Sequence, residues 1–316
     1  LGRIVTQSPK MEDLKRRIRS AAQLDSPVLI YGETGTGKEL VAEALHSEGP
    51  RGGEPFVAQN CAAIPSNLLE SLFFGTEKGS YTGALTRKGL FEEANGGTLF
   101  LDEINSMDIG LQAKLLKALE EKKARRLGGS RDTPFDVRIV AAVNEPPEEL
   151  LRSGKLREDL YYRLGVVRLN LPPLRERPED IPPLTNYFIE QYNRSMKRNI
   201  RGVTPEVAER FRRYRWPGNI RQLRNAVEGA FAIARGELLT AEDLEEKLGG
   251  GTEQQTRPAA PAPPPEEGIS LSQAVERYEK GLIQQAMKRC GSISATARSL
   301  GLSRQNLKYK LQKYDL

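Results

Sequence analysis

The fold is decided by Pro27-Val28-Leu29-Ile30-Tyr31 and the residues after it, Gly32-Glu33-Thr34-Gly35-Thr36-Gly37-Lys38-Glu39. The first five residues form an apolar run typical of a short buried strand, and residues 39–48 continue with apolar side chains at helical spacing. Between strand and helix, glycines let the backbone turn so that successive N–H groups face a phosphate, while Lys38 and the helix N-terminus supply positive charge. We therefore predict a nucleotide site over residues 32–39. Because Glu39 replaces the expected hydroxyl residue, we expect Mg²⁺ to be held mainly by other groups and water.

An acidic pair marks the end of a second apolar run. Asp102 and Glu103 directly follow Leu99-Phe100-Leu101. Beside a phosphate loop, the first carboxylate can hold Mg²⁺ through water and the second can polarise an attacking water. The alternative is an acidic surface turn, which the upstream glycine-rich loop argues against. The pair predicts ATP hydrolysis, with Asp102 as the metal residue and ATP and Mg²⁺ as cofactors.

The order of elements predicts an α/β core followed by helices. Apolar runs at 137–143 and 166–169 add two strands, and a helical pattern over 111–123 lies between strands, which implies a parallel sheet with helices on both sides. After Leu171 the pattern changes to helices only, roughly over 179–198, 204–214, 219–235 and 240–248. We predict an α/β nucleotide-binding subdomain (1–171), an all-helical lid subdomain (172–248), a flexible linker rich in glycine and proline (249–268) and a small all-α domain (269–316).

The small C-terminal domain accounts for the whole net charge of the chain. The formal net charge is +6, and residues 269–316 hold nine basic against three acidic residues. Ala297, Gly301 and Leu307 lie at offsets 0, 4 and 10, the spacing of a helix-turn-helix, with Ser303 as the cap of the second helix. An ordinary helical hairpin with a basic surface is the alternative. We expect dimerisation through the preceding helix, and double-stranded DNA as the ligand of Ser303, Arg304, Gln305, Asn306 and Lys308.

Composition excludes several other classes of protein. His46 is the single histidine, and Cys61 and Cys290 are far apart, so a zinc finger, a disulfide scaffold and a histidine-based triad are not expected. No apolar run approaches the ~18–20 residues of a membrane helix. Sparse thiols and the absence of a leader predict a cytoplasmic protein that does not bind membranes. Because the chain begins at Leu1, we expect further sequence upstream.

The most specific motif identifies a family. Gly79-Ser80-Tyr81-Thr82-Gly83-Ala84 resembles the Gly-Ala-Phe-Thr-Gly-Ala surface loop of the sigma-54-dependent transcriptional activators, which are bacterial enhancer-binding proteins of the AAA+ class. The resemblance extends over residues 4–316. It implies a P-loop AAA+ core, contact between this loop and the sigma factor, and a Fis-like C-terminal domain. Ser80 and Tyr81 are mild departures, since the ring and the threonine remain.

The resemblance also assigns catalytic roles to single residues. Asn60 resembles the asparagine that restrains the catalytic glutamate, Glu103, and Asn144 resembles the sensor of the γ-phosphate. Arg157 and Arg163 lie in a segment that resembles the one bearing arginine fingers, which act on a neighbouring subunit's ATP. Arg221 resembles the second sensor, which reaches the nucleotide from the lid, and Trp216 before it is also expected to be a core anchor. Arginines in surface ion pairs are the alternative.

Together these features predict an ATP-driven activator that binds DNA upstream of promoters. It would assemble into a hexamer or heptamer ring and use ATP hydrolysis to remodel sigma-54 RNA polymerase for open-complex formation. One alternative is a DNA-binding regulator whose ATPase no longer acts on sigma-54. A second is an AAA+ protein unfoldase, which the helix-turn-helix argues against.

Overall fold

The computed structural model describes residues 1–79 and 85–244, and beyond them residues 276, 279–281, 283–284, 286–287, 292–299 and 301–314. These residues belong to two compact units, Leu1–Gly250 and Gly251–Leu316. The strands are β1 (Val28–Tyr31), β2 (Phe56–Asn60), β3 (Thr98–Asp102), β4 (Lys123–Arg125), β5 (Asp132–Pro134), β6 (Arg138–Val143), β7 (Val167–Asn170), β8 (Gly202–Val203) and β9 (Leu238–Leu239). The helices are α1 (Pro9–Ala22), α2 (Lys38–Ser47), α3 (Ser66–Phe74), α4 (Leu90–Glu93), α5 (Ile109–Glu121), α6 (Pro147–Arg152), α7 (Glu158–Leu164), α8 (Ile181–Met196), α9 (Pro205–Arg213), α10 (Asn219–Ile233), α11 (Ile293–Ser299) and α12 (Arg304–Tyr314). Within the described residues, none of the helices has the length and hydrophobicity needed to cross a membrane.

A five-stranded parallel sheet in the order β2-β3-β6-β1-β7 forms the centre of the first unit. Its strands alternate between two cores: Leu29 and Leu101 pack with α5 and α7 on one face, and Ile30 and Phe100 pack with α1 and α2 on the other. Because both faces are covered, the inner strands are continuous apolar runs rather than alternating ones. The predicted α/β fold with a parallel sheet is confirmed.

The carboxyl ends of these strands meet at one edge of the sheet. Gly32 follows β1, Asp102 ends β3 and Asn144 follows β6, while Asn60 ends β2 in register with Asp102. The sequence did not predict β2, because it lies at the edge of the sheet and none of its five side chains is fully buried. Ligands bind in open α/β sheets at this carboxyl edge.

The lid consists of α8, α9 and α10 around a core of its own. Trp216 is fully buried there and its indole N–H donates to the carbonyl oxygen of Phe211 at 2.8 Å, as expected of a core anchor. The prediction of helices alone missed the short parallel pair β8–β9. The helix predicted over 240–248 is described only at 240–244. Residues 240 and 241 are not helical and residues 242–244 form a 3₁₀ turn, while 245–248 lie outside the described residues. The predicted subdomain boundary at 171/172 falls inside the first unit and stays a prediction.

The second unit contains the predicted pair of helices, α11 and α12. Between them Gly301 has φ +66°, a left-handed conformation suited to glycine, and the Ser303 hydroxyl accepts a hydrogen bond from the Asn306 N–H at 3.1 Å, which caps α12. Ala297 and Leu307 are buried in one core. The predicted linker over 249–268 and much of the predicted preceding helix lie outside the described residues.

Candidate functional site: a phosphate loop bound to the lid

The glycine-rich loop between β1 and α2 holds a buried lysine. Gly35 and Gly37 have φ +80° and +101°, conformations that other residues rarely adopt, so the backbone of the loop depends on these glycines. The Lys38 ammonium group donates to the carbonyl oxygen of Gly32 at 2.7 Å. Burial lowers the pKa of Lys38, and the carboxylates of Asp102 and Glu103 oppose that shift. The lysine and both predicted catalytic carboxylates therefore lie within electrostatic reach of one another.

The acidic pair has a strained backbone. Glu103 adopts φ 53° and ψ 48°, a left-handed conformation that costs an L-residue about 1–2 kcal/mol. Its N–H donates to the Asp102 carboxylate at 3.0 Å, which stabilises the turn. Such strain is concentrated at functional sites. Mg²⁺ binds oxygen ligands and commonly one or two carboxylates, so Asp102 and Glu103 fit this ion. Glu39, which stands in the place of the expected hydroxyl residue, is exposed on the first turn of α2.

The two predicted asparagines occupy the same edge of the sheet with different partners. The Asn60 side chain accepts hydrogen bonds from the N–H groups of Ala62 and Ala63 at 2.8 and 3.2 Å. No hydrogen bond joins Asn60 to Glu103 in the described part of the chain, so the predicted restraint of Glu103 stays a prediction. The Asn144 side chain accepts from the side-chain amide of Asn105 at 3.1 Å, in the turn that follows Glu103.

The three predicted arginines divide into two groups. Arg221 is exposed at the start of α10, and its N–H approaches the carbonyl oxygen of Gly35 at 3.3 Å, which places it beside the phosphate loop. Arg157 and Arg163 lie instead at the start and end of α7. Arg157 forms two hydrogen bonds to Asp159, at 3.0 and 2.6 Å, and Arg163 donates to the carbonyl oxygen of Leu119 at 3.1 Å. Arg221 therefore lies beside the phosphate loop, whereas the side chains of Arg157 and Arg163 make their hydrogen bonds elsewhere in the same chain.

A polar cluster that the sequence did not predict joins the phosphate loop to the lid. Arg175 forms two hydrogen bonds to the Glu33 carboxylate, at 2.8 and 2.6 Å, and this contact lowers the pKa of Glu33. The Asn219 amide donates to Glu33 at 3.2 Å and to the carbonyl oxygen of Thr34 at 3.0 Å, and Arg177 donates to the carbonyl oxygen of Thr36 at 3.1 Å. These partners are far apart in the sequence, so no local pattern indicates them.

The lid also touches the loop through its backbone. The Ile220 N–H donates to the carbonyl oxygen of Gly35 at 2.9 Å. A Cβ added at Gly35 would lie 2.3 Å from the carbonyl oxygen of Gly218. The approach is therefore possible only because residue 35 has no side chain, and the loop and the start of α10 are in direct contact.

The loop predicted to contact the sigma factor is only partly described. Gly79 has φ +89°, and Ser80, Tyr81, Thr82, Gly83 and Ala84 lie outside the described residues. At its base, the backbone groups of Thr76 and Arg87 form two hydrogen bonds, at 3.0 and 2.9 Å. The loop is thus closed by a short antiparallel bridge that fixes where it leaves the core.

The residues predicted to bind DNA share the exposed side of α12 and its cap. Arg304, Gln305, Asn306 and Lys308 are exposed, as is Ser303. Tyr309, which sequence analysis did not select, is 67% exposed on the same helix. Arginine, glutamine and lysine on the second helix of such a pair are suited to base edges and phosphates.

Comparison with known proteins agrees with this geometry. The chain matches the family described as the Sigma-54 interaction domain over residues 4–170, the AAA+ ATPase lid domain over 175–261 and the Fis family of bacterial regulatory proteins over 274–314. It is 45% identical to the transcriptional activator RocR of Bacillus subtilis over 99% of this chain and 68% of RocR. It is 42% identical to the regulatory protein AtoC of Escherichia coli over 100% of this chain and 68% of AtoC.

Solved structures show the same likeness. The crystal structure of NtrX from Brucella abortus in complex with ATP has a TM-score of 0.74 to this chain at 34% identity, over 100% of this chain and 70% of NtrX. The complex of the same protein with ADP has a TM-score of 0.74, over 99% of this chain and 69% of NtrX. With its parallel sheet, helical lid and helix-turn-helix, the chain belongs to the sigma-54-dependent transcriptional activators of the AAA+ class.

Proposed function

We propose that the chain hydrolyses ATP in a ring of subunits and uses the energy to remodel sigma-54 RNA polymerase at promoters whose upstream DNA it binds. The observation that carries this proposal is the shared edge of the sheet, where buried Lys38, the Asp102–Glu103 pair and Arg221 lie around one glycine-rich loop. The ATP complex of NtrX supports ATP as the nucleotide, because that protein shares the fold over the whole length of this chain.

The residues around the glycine-rich loop have different roles in ATP hydrolysis. The loop N–H groups and Lys38 bind the phosphates, and Asp102 with water would hold Mg²⁺, which screens the charge of the β- and γ-phosphates. Glu103 polarises the attacking water, and Asn144 contacts the γ-phosphate. Arg221 approaches the nucleotide from the lid, so that the lid position depends on which phosphates are present.

The arginine fingers, the sigma-54 contact and DNA binding require a second subunit or another partner. Arg157 directly precedes α7 and Arg163 lies in its last turn, and their side chains bind Asp159 and Leu119 rather than the phosphate loop. We assign both arginines to the ATP of a neighbour in a hexamer or heptamer. Residues 79–84 would contact sigma-54, and α12 would bind DNA as part of a dimer. Exposed Arg304, Gln305 and Lys308 support this role of α12.

The test is transcription from a purified sigma-54 promoter with three versions of the full chain. Wild-type protein should form open complexes with ATP, and Lys38→Ala should neither bind ATP by calorimetry nor form them. Thr82→Ala removes one hydroxyl from the sigma-factor loop, so it should keep ATP hydrolysis while losing sigma-54 retention and transcript.

Two results would overturn the proposal in different ways. Equal transcript yield from Thr82→Ala and wild type would show that the loop does not couple hydrolysis to the polymerase. If wild-type protein hydrolyses ATP and binds DNA but does not retain sigma-54, the chain is a DNA-binding regulator whose ATPase no longer acts on that factor.

A further inference from the structure

Helix α5 contains a fully buried amide that joins two separate segments. The Gln112 side chain is 0% exposed. Its amide nitrogen donates to the carbonyl oxygens of Met107 at 3.1 Å and Lys155 at 2.9 Å, and its oxygen accepts from the Arg157 N–H at 3.0 Å. Both N–H donors and the acceptor of the amide are thus occupied by backbone groups. A buried amide with all its bonds made to the backbone of other segments holds those segments in a defined position.

One of these segments continues from the hydrolytic carboxylates. Glu103 is followed by a 3₁₀ turn over Ile104–Ser106, in which the Ser106 N–H donates to the carbonyl oxygen of Glu103 at 2.9 Å. The Met107 N–H then donates to the carbonyl oxygen of Ile104 at 3.1 Å. An unbroken run of hydrogen-bonded turns therefore extends from Glu103 to the residue that Gln112 binds.

The other segment carries both arginines that we assign to the neighbouring subunit. Arg157 is the residue just before α7, and its backbone N–H donates to the side-chain oxygen of Gln112. Arg163, at the other end of α7, donates to Leu119 in the last turns of α5. The apolar faces of α5 and α7 share one core, in which Leu115 and Leu160 are both buried. Because close-packed cores deform little, α5 and α7 are expected to move together.

We propose that Gln112 is a positioning residue for Arg157. Its side chain connects the backbone of Arg157 to Met107, in the segment that follows Glu103. The position of Arg157, which acts on the ATP of the next subunit, therefore depends on the hydrolytic site of its own subunit. This inference rests on the proposed function, in which Arg157 acts on a neighbour's nucleotide. Gln112 itself touches neither ATP nor the reacting atoms.

The experiment is a double-mutant cycle in the full chain, measured as steady-state ATPase activity at a protein concentration that saturates assembly. Gln112→Met keeps an unbranched side chain of similar length but removes all three hydrogen bonds. We expect kcat to fall roughly 10²-fold, which is what a displacement of about 1 Å costs, with an unchanged KM for ATP. Arg157→Ala should lower kcat at least as much, and the double variant should equal Arg157→Ala alone.

Non-additivity is the result that a merely structural role would not produce. If the two losses multiply in the double variant, or if Gln112→Met has wild-type kcat, Gln112 does not act through Arg157 and the inference is wrong. If Arg157→Ala alone keeps wild-type kcat, the assignment of Arg157 in the proposed function has failed instead.

A matched control separates positioning from loss of stability. Asn193, in the lid, also uses its side-chain amide to hold backbone groups, at 2.7 and 2.9 Å to the carbonyl oxygen and N–H of Ile200. Asn193→Leu removes two hydrogen bonds from a partly buried amide, so it should lower the melting temperature while kcat stays at the wild-type value. An equal fall of kcat in this control would mean that general loosening explains the effect of Gln112→Met, and would overturn the inference.

Discussion

Replacing Gly35 with alanine should separate the lid from the phosphate loop. Gly35 has φ +80°, and a Cβ there would lie 2.3 Å from the carbonyl oxygen of Gly218 and 3.0 Å from the Arg221 Cβ. The left-handed backbone costs an L-residue about 1–2 kcal/mol, and forcing an extra carbon into a packed contact costs about 1–3 kcal/mol more. We therefore expect Gly35→Ala to lower the free energy of unfolding by about 2–5 kcal/mol.

Gly154 offers the matched control. It has φ +69°, and nothing lies within 4 Å of an added Cβ, so Gly154→Ala carries the backbone cost alone, about 1–2 kcal/mol. Both variants and wild type would be unfolded in urea without nucleotide and followed by the fluorescence of Trp216, which is the one tryptophan of the chain and is fully buried in the lid. The reasoning is refuted if Gly35→Ala and Gly154→Ala lose the same free energy, because the contact with Gly218 would then contribute nothing.

Three further outcomes are expected at other sites. Glu103→Gln should bind ATP with wild-type affinity but hydrolyse it about 10²–10⁴-fold more slowly, since an amide cannot polarise the attacking water; normal turnover in a phosphate-release assay would assign the base elsewhere. Arg304→Ala should weaken specific DNA binding by about 1–3 kcal/mol in a footprint titration, while ATP hydrolysis stays intact. Lys313 is paired with Glu276 at 2.7 Å, so the control variant Lys313→Ala should change specific binding less. Equal effects of the two variants would contradict the assignment of Arg304 as a base reader. His46 is buried beside Thr98, and burial lowers its pKa from 6.5, so the unfolded chain binds the proton more tightly than the folded one. The free energy of unfolding should therefore decrease as the pH falls below about 6.5, and less steeply in His46→Gln; identical slopes in urea titrations from pH 7 to 5 would show that His46 does not contribute.

Local patterns predicted much of the fold because they describe interactions between neighbours in the chain. The strand before the phosphate loop, the strand ending in Asp102 and the helix from Ile109 are all found close to their predicted bounds. Glycine spacing and apolar runs reflect backbone freedom and burial of a single segment. The edge strand β2 escaped prediction because its side chains are only partly buried and its apolar pattern is correspondingly weak.

The sequence by itself determined the phosphate loop, the acidic pair and the helix-turn-helix, because each is a short run of residues whose spacing carries the chemistry. Only the tertiary structure decided that Glu33 pairs with Arg175, that Gly35 lies against Gly218, and that Gln112 joins Met107 to Arg157. The first two contacts form only once the lid has packed on the sheet, and the contact between Gln112 and Arg157 forms only once α5 and α7 have packed together. Glu33 and Arg175 are 142 positions apart, and a pairing at such a distance is set by the path of the whole chain rather than by any local preference.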